Sequence, residues 1–203
     1  MRGLHIILTL ALVVLAGCGA PPPPPESQEV TRLAAAIRSL GPEVDAEEAE
    51  RAARITYEHT HQLALEYEIT DPPIVHNTKV NMGLKPAGLC WHWARDIEDR
   101  LTQEEFQTLD LHRAVANSEN AFRLEHSTAI VSAKGDAFDQ GIVLDPWRKG
   151  GQLTWTPVVD DRSYKWEKRN DVVARKLERL HGQIVTLTDD DRILMGGLEY
   201  AVP

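Results

Sequence analysis

"FRLEHSTAIVSAKGDAFDQGIVLD", residues Phe122–Asp145, decides the fold. Along the first arm Phe122, Leu124, His126, Thr128 and Ile130 fall on alternate positions, the period of a half-buried strand. The second arm, Gly141–Asp145, is apolar up to its acidic end, and between the arms lies Gly135-Asp136, a pair favoured in tight hairpin loops. A turn centred there sets Lys134 opposite Ala137 and, carried along the ladder, His126 opposite Asp145. Directly opposed residues share a face with their Cβ atoms ~4.5–5.5 Å apart, so imidazole and carboxylate are expected to meet. A longer even loop with the same centre keeps this pairing, and an odd loop or a bulge destroys it. The polar Asp136, Asp139 and Gln140 are a warning of such a longer loop. The pairing matters because a carboxylate fixes the tautomer of an imidazole and supports its positive charge when it takes a proton.

Outward from this hairpin, Leu109, Leu111 and Val115 alternate with Asp110, His112 and Ala114 as a further strand. Upstream the period changes to 3.6. Ser27, as N-cap, opens a helix to about Leu40, stopped by Gly41-Pro42. Asp45 with Glu48 reads as a capping box opening a helix to about Tyr67, and Asp71-Pro72-Pro73 breaks the chain. Residues 74–89 read as a polar loop. A third helix starts near Cys90 with Cys90, Trp93, Ala94, Ile97 and Leu101 on one face, and Thr102 with Glu105 predicts one more helical turn. After Pro146 come turns with Trp147, Trp155 and Trp166, a helix over Glu167–His181 ended by Gly182, and short strands near 184–187 and 198–202. Helices first and antiparallel strands after them give the α+β class, N-terminal helices packed on an antiparallel sheet.

The chain holds two cysteines, Cys18 and Cys90, in 203 residues. Arg2 precedes the apolar run Ile6–Leu15, too short to span a bilayer, which needs ~20 apolar residues, but suited to a signal peptide. The run ends Leu15-Ala16-Gly17-Cys18, which resembles the bacterial lipobox. That resemblance implies a signal peptide over 1–17, acylation of Cys18 (with palmitate-type chains), and a partner in the lipid bilayer. With Gly19 after the cysteine, it also implies an outer-membrane location facing the periplasm. Residues 18–28, with the tract Pro21–Pro25, read as a semi-rigid spacer, and 29–203 as one domain. With Cys18 in a thioether, Cys90 has no intramolecular disulfide partner, and a lone exported thiol is a liability unless buried or useful.

Cys90 sits at a helix N-terminus, where unpaired N–H groups favour thiolate over thiol and can hold an oxyanion. Cys at a helix start, His on a strand and Asp on the next strand, in "GLCWHWA", "RLEHSTAIV" and "VLDPW", resemble the transglutaminase-like, papain-fold superfamily of cysteine enzymes. The resemblance implies a transglutaminase-like core with Cys90 as nucleophile, His126 as base and acid, and Asp145 as orienting carboxylate. It further implies an oxyanion-assisting polar side chain, for which Asn81 and Asn77 are the candidates. The chemistry expected is thiol peptidase, amidase or acyltransferase action on an envelope peptide, with no cofactor. The alternative is an inactive lipoprotein of the same fold serving as a binding or scaffold module. Here Ser127 and Thr128 stand where the superfamily often has an aromatic after its histidine, and Trp91-His92 is not one of its general features.

The net charge of −9 excludes a phosphate-binding nucleic-acid protein. Metal binding is disfavoured as well. Cys90 and His92 project about 200° apart on a helix, as do His59 and His61, and His92 is expected toward the helix surface. Asp189-Asp190-Asp191 reads as a solvated turn.

Overall fold

In a computed structural model, which describes residues 19–181, the N-terminal half is helical and the sheet follows. Helix α1 (Ser27–Arg38) buries Leu33 and Ile37. Its N-cap is Glu26, one residue earlier than expected, because the Glu29 carboxylate reaches back to the Glu26 N–H at 3.2 Å. Helix α2 (Ala46–Glu66) is capped by Asp45, which accepts the Glu48 N–H at 2.9 Å. Glu48 does not complete the expected box. Its carboxylate accepts the Gln107 N–H at 2.8 Å and the Thr108 N–H at 2.9 Å, and the Thr108 hydroxyl takes the Asp45 N–H instead. The start of α2 is thereby tied to the start of the sheet.

Residues 73–81 form a helix, α3 (Pro73–Asn81), where a loop was expected. Ile, Val, Thr and Asn are weak helix formers, so the pattern hides it. Pro73 pre-sets the first turn, and burial of His76 with the Lys79–Asp71 ion pair at 2.7 Å holds it in place. Helix α4 (Cys90–Thr102) buries Trp93, Ala94, Ile97 and Leu101. No helical turn follows it: 103–104 is a simple turn and Glu105 is left-handed at φ 51°.

Strands β1 (Leu109–Ala116), β2 (His126–Ala133), β3 (Ile142–Asp145), β4 (Thr154–Pro157) and β5 (Trp166–Lys168) form a sheet in the order β4-β3-β2-β1-β5. The successive pairs from β1 to β4 are antiparallel. The fold is α+β. One face of the sheet, with Leu109, Ala129, Val131, Ile142 and Leu144, joins α1, α2 and α4 in the main core. The other face, with Ala114, Ala116, Ile130 and Val143, is covered by Trp166 and Tyr164.

Two expectations about the hairpin change. Residues 134–141 form a longer loop with a 3₁₀ turn at Phe138–Gln140, and β2 pairs with β3 as Ala129–Leu144, Ile130–Val143 and Val131–Ile142. The register is displaced by two residues, so His126 and Asp145 are diagonal rather than opposed. Because the displacement is even, both stay on one face. Phe122 and Leu124 precede the strand and are exposed, at 98% and 59%.

The proline tract does not stand clear of the domain. Pro22 lies against Gly151, whose missing side chain makes the room: a Cβ there would come 2.9 Å from Pro22 Cγ and 3.1 Å from Ala64 Cβ. The compact unit that contains α1–α4 and β1–β4 runs to Trp166, the first residue of β5, and a second begins at Glu167. The second unit holds a helix over 169–181 and a Glu167–Arg175 ion pair at 2.6 Å. The signal segment, Cys18, the stop at Gly182, the strands at 184–187 and 198–202, and Asp189–Asp191 lie outside the described residues. No helix among the described residues is long and apolar enough to cross a membrane.

Glu48→Ala would leave the part-buried Gln107 and Thr108 N–H groups without their acceptor, each costing ~1–3 kcal/mol. It is expected to lower the unfolding free energy by about 3 kcal/mol in urea denaturation at neutral pH. Burial acts to raise the Glu48 pKa, but the Gln107 and Thr108 hydrogen bonds hold it below its ordinary 4.5. The difference between wild type and variant should therefore shrink as pH falls below that value. A loss under about 0.5 kcal/mol would show that the carboxylate does not anchor the sheet.

Candidate active site

The thiol and the imidazole meet at the tips of their elements. Cys90 is the first residue of α4 and His126 the first of β2. Sequence reasoning expects helix and imidazole on the same face of the sheet. Instead α4 packs on the face of Ala129 and Val131, while His126 points to the face of Ile130. Contact is made around the end of the strand, where the partly exposed Cys90 thiol donates to the Glu125 carbonyl at 3.7 Å, immediately before His126.

His126 is 1% exposed and donates from Nε2 to Asp145 Oδ2 at 2.6 Å. Its other nitrogen, Nδ1, is buried without a hydrogen-bond partner in strict geometry. Burial alone would lower the pKa of this ring. The hydrogen bond to Asp145 and the interaction with Cys90 outweigh it and hold the imidazole up at about 9. The ring is stacked among Trp147, Tyr164 and Trp166, with centroids at 4.8, 4.6 and 5.5 Å.

Asp145 is also 1% exposed, and the Oδ2 that receives His126 receives Arg148 Nε at 2.6 Å. Arg148 continues to Asp161 through both terminal nitrogens, and Asp161 accepts Trp166 Nε1 at 2.9 Å and the Ser163 N–H at 3.0 Å. The guanidinium lies over the Tyr164 ring, 4.6 Å from its centroid. Burial works against the charge on Arg148, but Asp161 and Asp145 raise its pKa. Sequence reasoning missed Arg148, Asp161 and Tyr164.

A second missed set positions Cys90. The His92 imidazole, expected at the surface, turns back and caps α4, with Nδ1 accepting the Gly88 N–H at 3.1 Å and the Leu89 N–H at 3.2 Å. That role needs a neutral ring. Burial, assisted by the charge of Arg95, lowers the His92 pKa accordingly. The Gly88 carbonyl accepts Trp93 Nε1 at 3.0 Å, and His76 Nε2 donates to the Ala87 carbonyl at 2.8 Å. Gly88 has φ 119°, and a Cβ there would come 2.4 Å from His76 Nε2, so no other residue fits. Three side chains thus hold the three residues before the thiol, Ala87, Gly88 and Leu89. A position three residues into a helix, occupied by a side chain able to reach back, was the available signal for His92.

Of the two asparagines, Asn77 is tied to the site, its Oδ1 accepting Trp147 Nε1 at 3.0 Å, and Trp147 stacks on His126. Asn81 is exposed at the end of α3. Among the described residues no group of three or more His, Cys, Asp or Glu side chains is arranged to hold a metal ion. The arrangement can present a sulfur nucleophile beside a charged imidazole and a pre-oriented acid. No family model, no curated protein and no solved structure matches the chain.

Because the folded protein holds the His126 proton more tightly than the unfolded chain, whose histidine titrates near 6.5, this group stabilises the fold fully below that pH. The contribution is lost as pH rises through about 9. The stability difference between wild type and His126→Gln, measured in urea at a series of pH values, is expected to shrink across that window by up to roughly 3 kcal/mol. A difference independent of pH would mean that the ring is not held as an imidazolium.

Proposed function

We propose that this chain is a lipid-anchored envelope protein whose domain performs acyl transfer at an amide bond, in the manner of the transglutaminase-like cysteine enzymes. The observation that carries the reading is the buried His126–Asp145 hydrogen bond at 2.6 Å, with Cys90 as the other side chain raising the imidazole pKa. In the proposed cycle the Cys90 sulfur attacks the substrate carbonyl carbon and forms a C–S bond. The resulting oxyanion lies near the first-turn N–H groups of Cys90 and Trp91, which have no partner four residues back. His126 passes a proton to the leaving nitrogen as the C–N bond breaks, leaving a thioester. Water then attacks the thioester, His126 takes its proton, and the carboxylic acid and thiol are regenerated. Asp145 keeps the ring in the required tautomer throughout. A peptide amine in place of water would make the product a crosslink. The Leu15-Ala16-Gly17-Cys18 segment supports the anchor and the periplasm-facing, outer-membrane location.

The near-complete burial of His126 under Trp147, Tyr164 and Trp166 favours a second reading, a binding or scaffold protein that keeps the fold without turnover.

Alkylation of Cys90 by iodoacetamide, followed against pH, separates the two. An enzyme is expected to react rapidly already near pH ~7, and His126→Ala should delay reaction toward the ~8.5 of a free thiol. A wild-type rate that rises only near ~8.5 overturns the catalytic reading. In peptide profiling, Cys90→Ala should lose at least about a thousandfold in turnover.

A further inference from the structure

We infer that the outer face of α3 is a bilayer-contacting surface, which lays the domain flat on the membrane with the wall of its active site against the lipid. The inference rests on the proposed acylation of Cys18. In α3 and the turn after it, Ile74, Val75, Met82 and Leu84 are exposed at 54%, 46%, 67% and 64%. Residues 74, 78 and 82 lie four apart and 75 and 82 seven apart, so the first three apolar side chains share one helical face. Leu84 is held to the same end by its N–H bond to the Lys79 carbonyl at 2.8 Å. A concentrated set of large exposed apolar side chains of this kind marks a contact surface.

The anchored end of the chain identifies the occupant. Only three residues separate Cys18 from Pro22, a reach over four Cα steps of at most ~14 Å, and Pro22 is seated on Gly151. The tract thus acts as a short strap and not as a stand-off. It also runs beside the start of α3: Ala20, Pro21 and Pro22 line one cleft of about 300 Å³ with Ile69, Pro72 and Pro73. The chain therefore leaves the domain next to Ile74, and acyl chains on Cys18 would bring the bilayer to this face. The nearby cations do not call for acidic lipid. Lys79 is paired with Asp71 and Lys85 with Glu68, Lys149 is a single further cation lining the cleft, and the net charge is −9. The contact is apolar, as in interfacial helices. The inner side of the same helix carries His76 and Asn77, which touch the Ala87–Gly88 loop and Trp147.

The test uses the full acylated chain in phosphatidylcholine vesicles containing a lipid with a diazirine in its acyl chain. After irradiation, the tryptic peptide Val80–Arg95, left uncut at Lys85 because Pro86 follows it, is expected to carry lipid adducts within Val80–Lys85. Ile74→Asp with Val75→Asp should abolish them while the protein stays on the vesicles and Cys90 alkylation is unchanged. An unlabelled peptide in a chain whose intact mass shows acylated Cys18 overturns the inference and leaves the anchor reading standing. Absence of acylation defeats both. Protection of the peptide by a second copy or by another polypeptide, in place of lipid, also overturns it.

Discussion

One carboxylate oxygen organises the centre of this protein. Asp145 Oδ2 receives the imidazole of His126 and the guanidinium of Arg148 at the same 2.6 Å, in a place that water does not reach. An isolated carboxylate buried to this degree would be prohibitively costly. It is tolerated because Asp145, Asp161, Arg148 and a protonated His126 form a set of four charges that sums to zero. Every turn between 145 and 166 is bent toward completing that set, with Arg148 three residues after Asp145 and Asp161 reached through β4. Removing one member leaves the others buried and uncompensated, which is far worse than never having had the network.

Helices α1, α2 and α4, the central strands and the shared facing of His126 and Asp145 were legible in the residues, the last for a physical reason. Side chains in a strand repeat every two residues, so an even error in register moves partners along the face without turning them away. The displacement caused by the Phe138–Gln140 turn therefore left the pairing intact, although its geometry became diagonal. Phe122 and Leu124 misled because alternation alone cannot tell a strand from a loop that happens to alternate. Helix α3 was hidden by its β-branched residues and is held by His76, Lys79 and Asn77, whose partners lie 11, 8 and 70 residues away from them in sequence. Contacts of that kind have no local signature. Arg148 and Asp161 were missed for the same reason.

The thiol is placed by what precedes it more than by what surrounds it. Gly88, fixed by His76 behind it and by Trp93 and His92 ahead, delivers the chain into α4 at one angle. His92 does here what a glutamate or glutamine does in an ordinary capping box, with a neutral ring that adds no negative charge beside Cys90. The residue pair that fits no family pattern, Trp91-His92, is thus in part a structural device for the helix start.

The meeting of Cys90 and His126 around the tip of β2 also bears on the history of each molecule. The thiol belongs to the core built with the helices, and the imidazole to the smaller core under Tyr164 and Trp166. Neither half-folded chain holds sulfur and charged imidazole together. The pair of thiol and imidazole is therefore complete only once Tyr164 and Trp166 have closed over the sheet that the helices support.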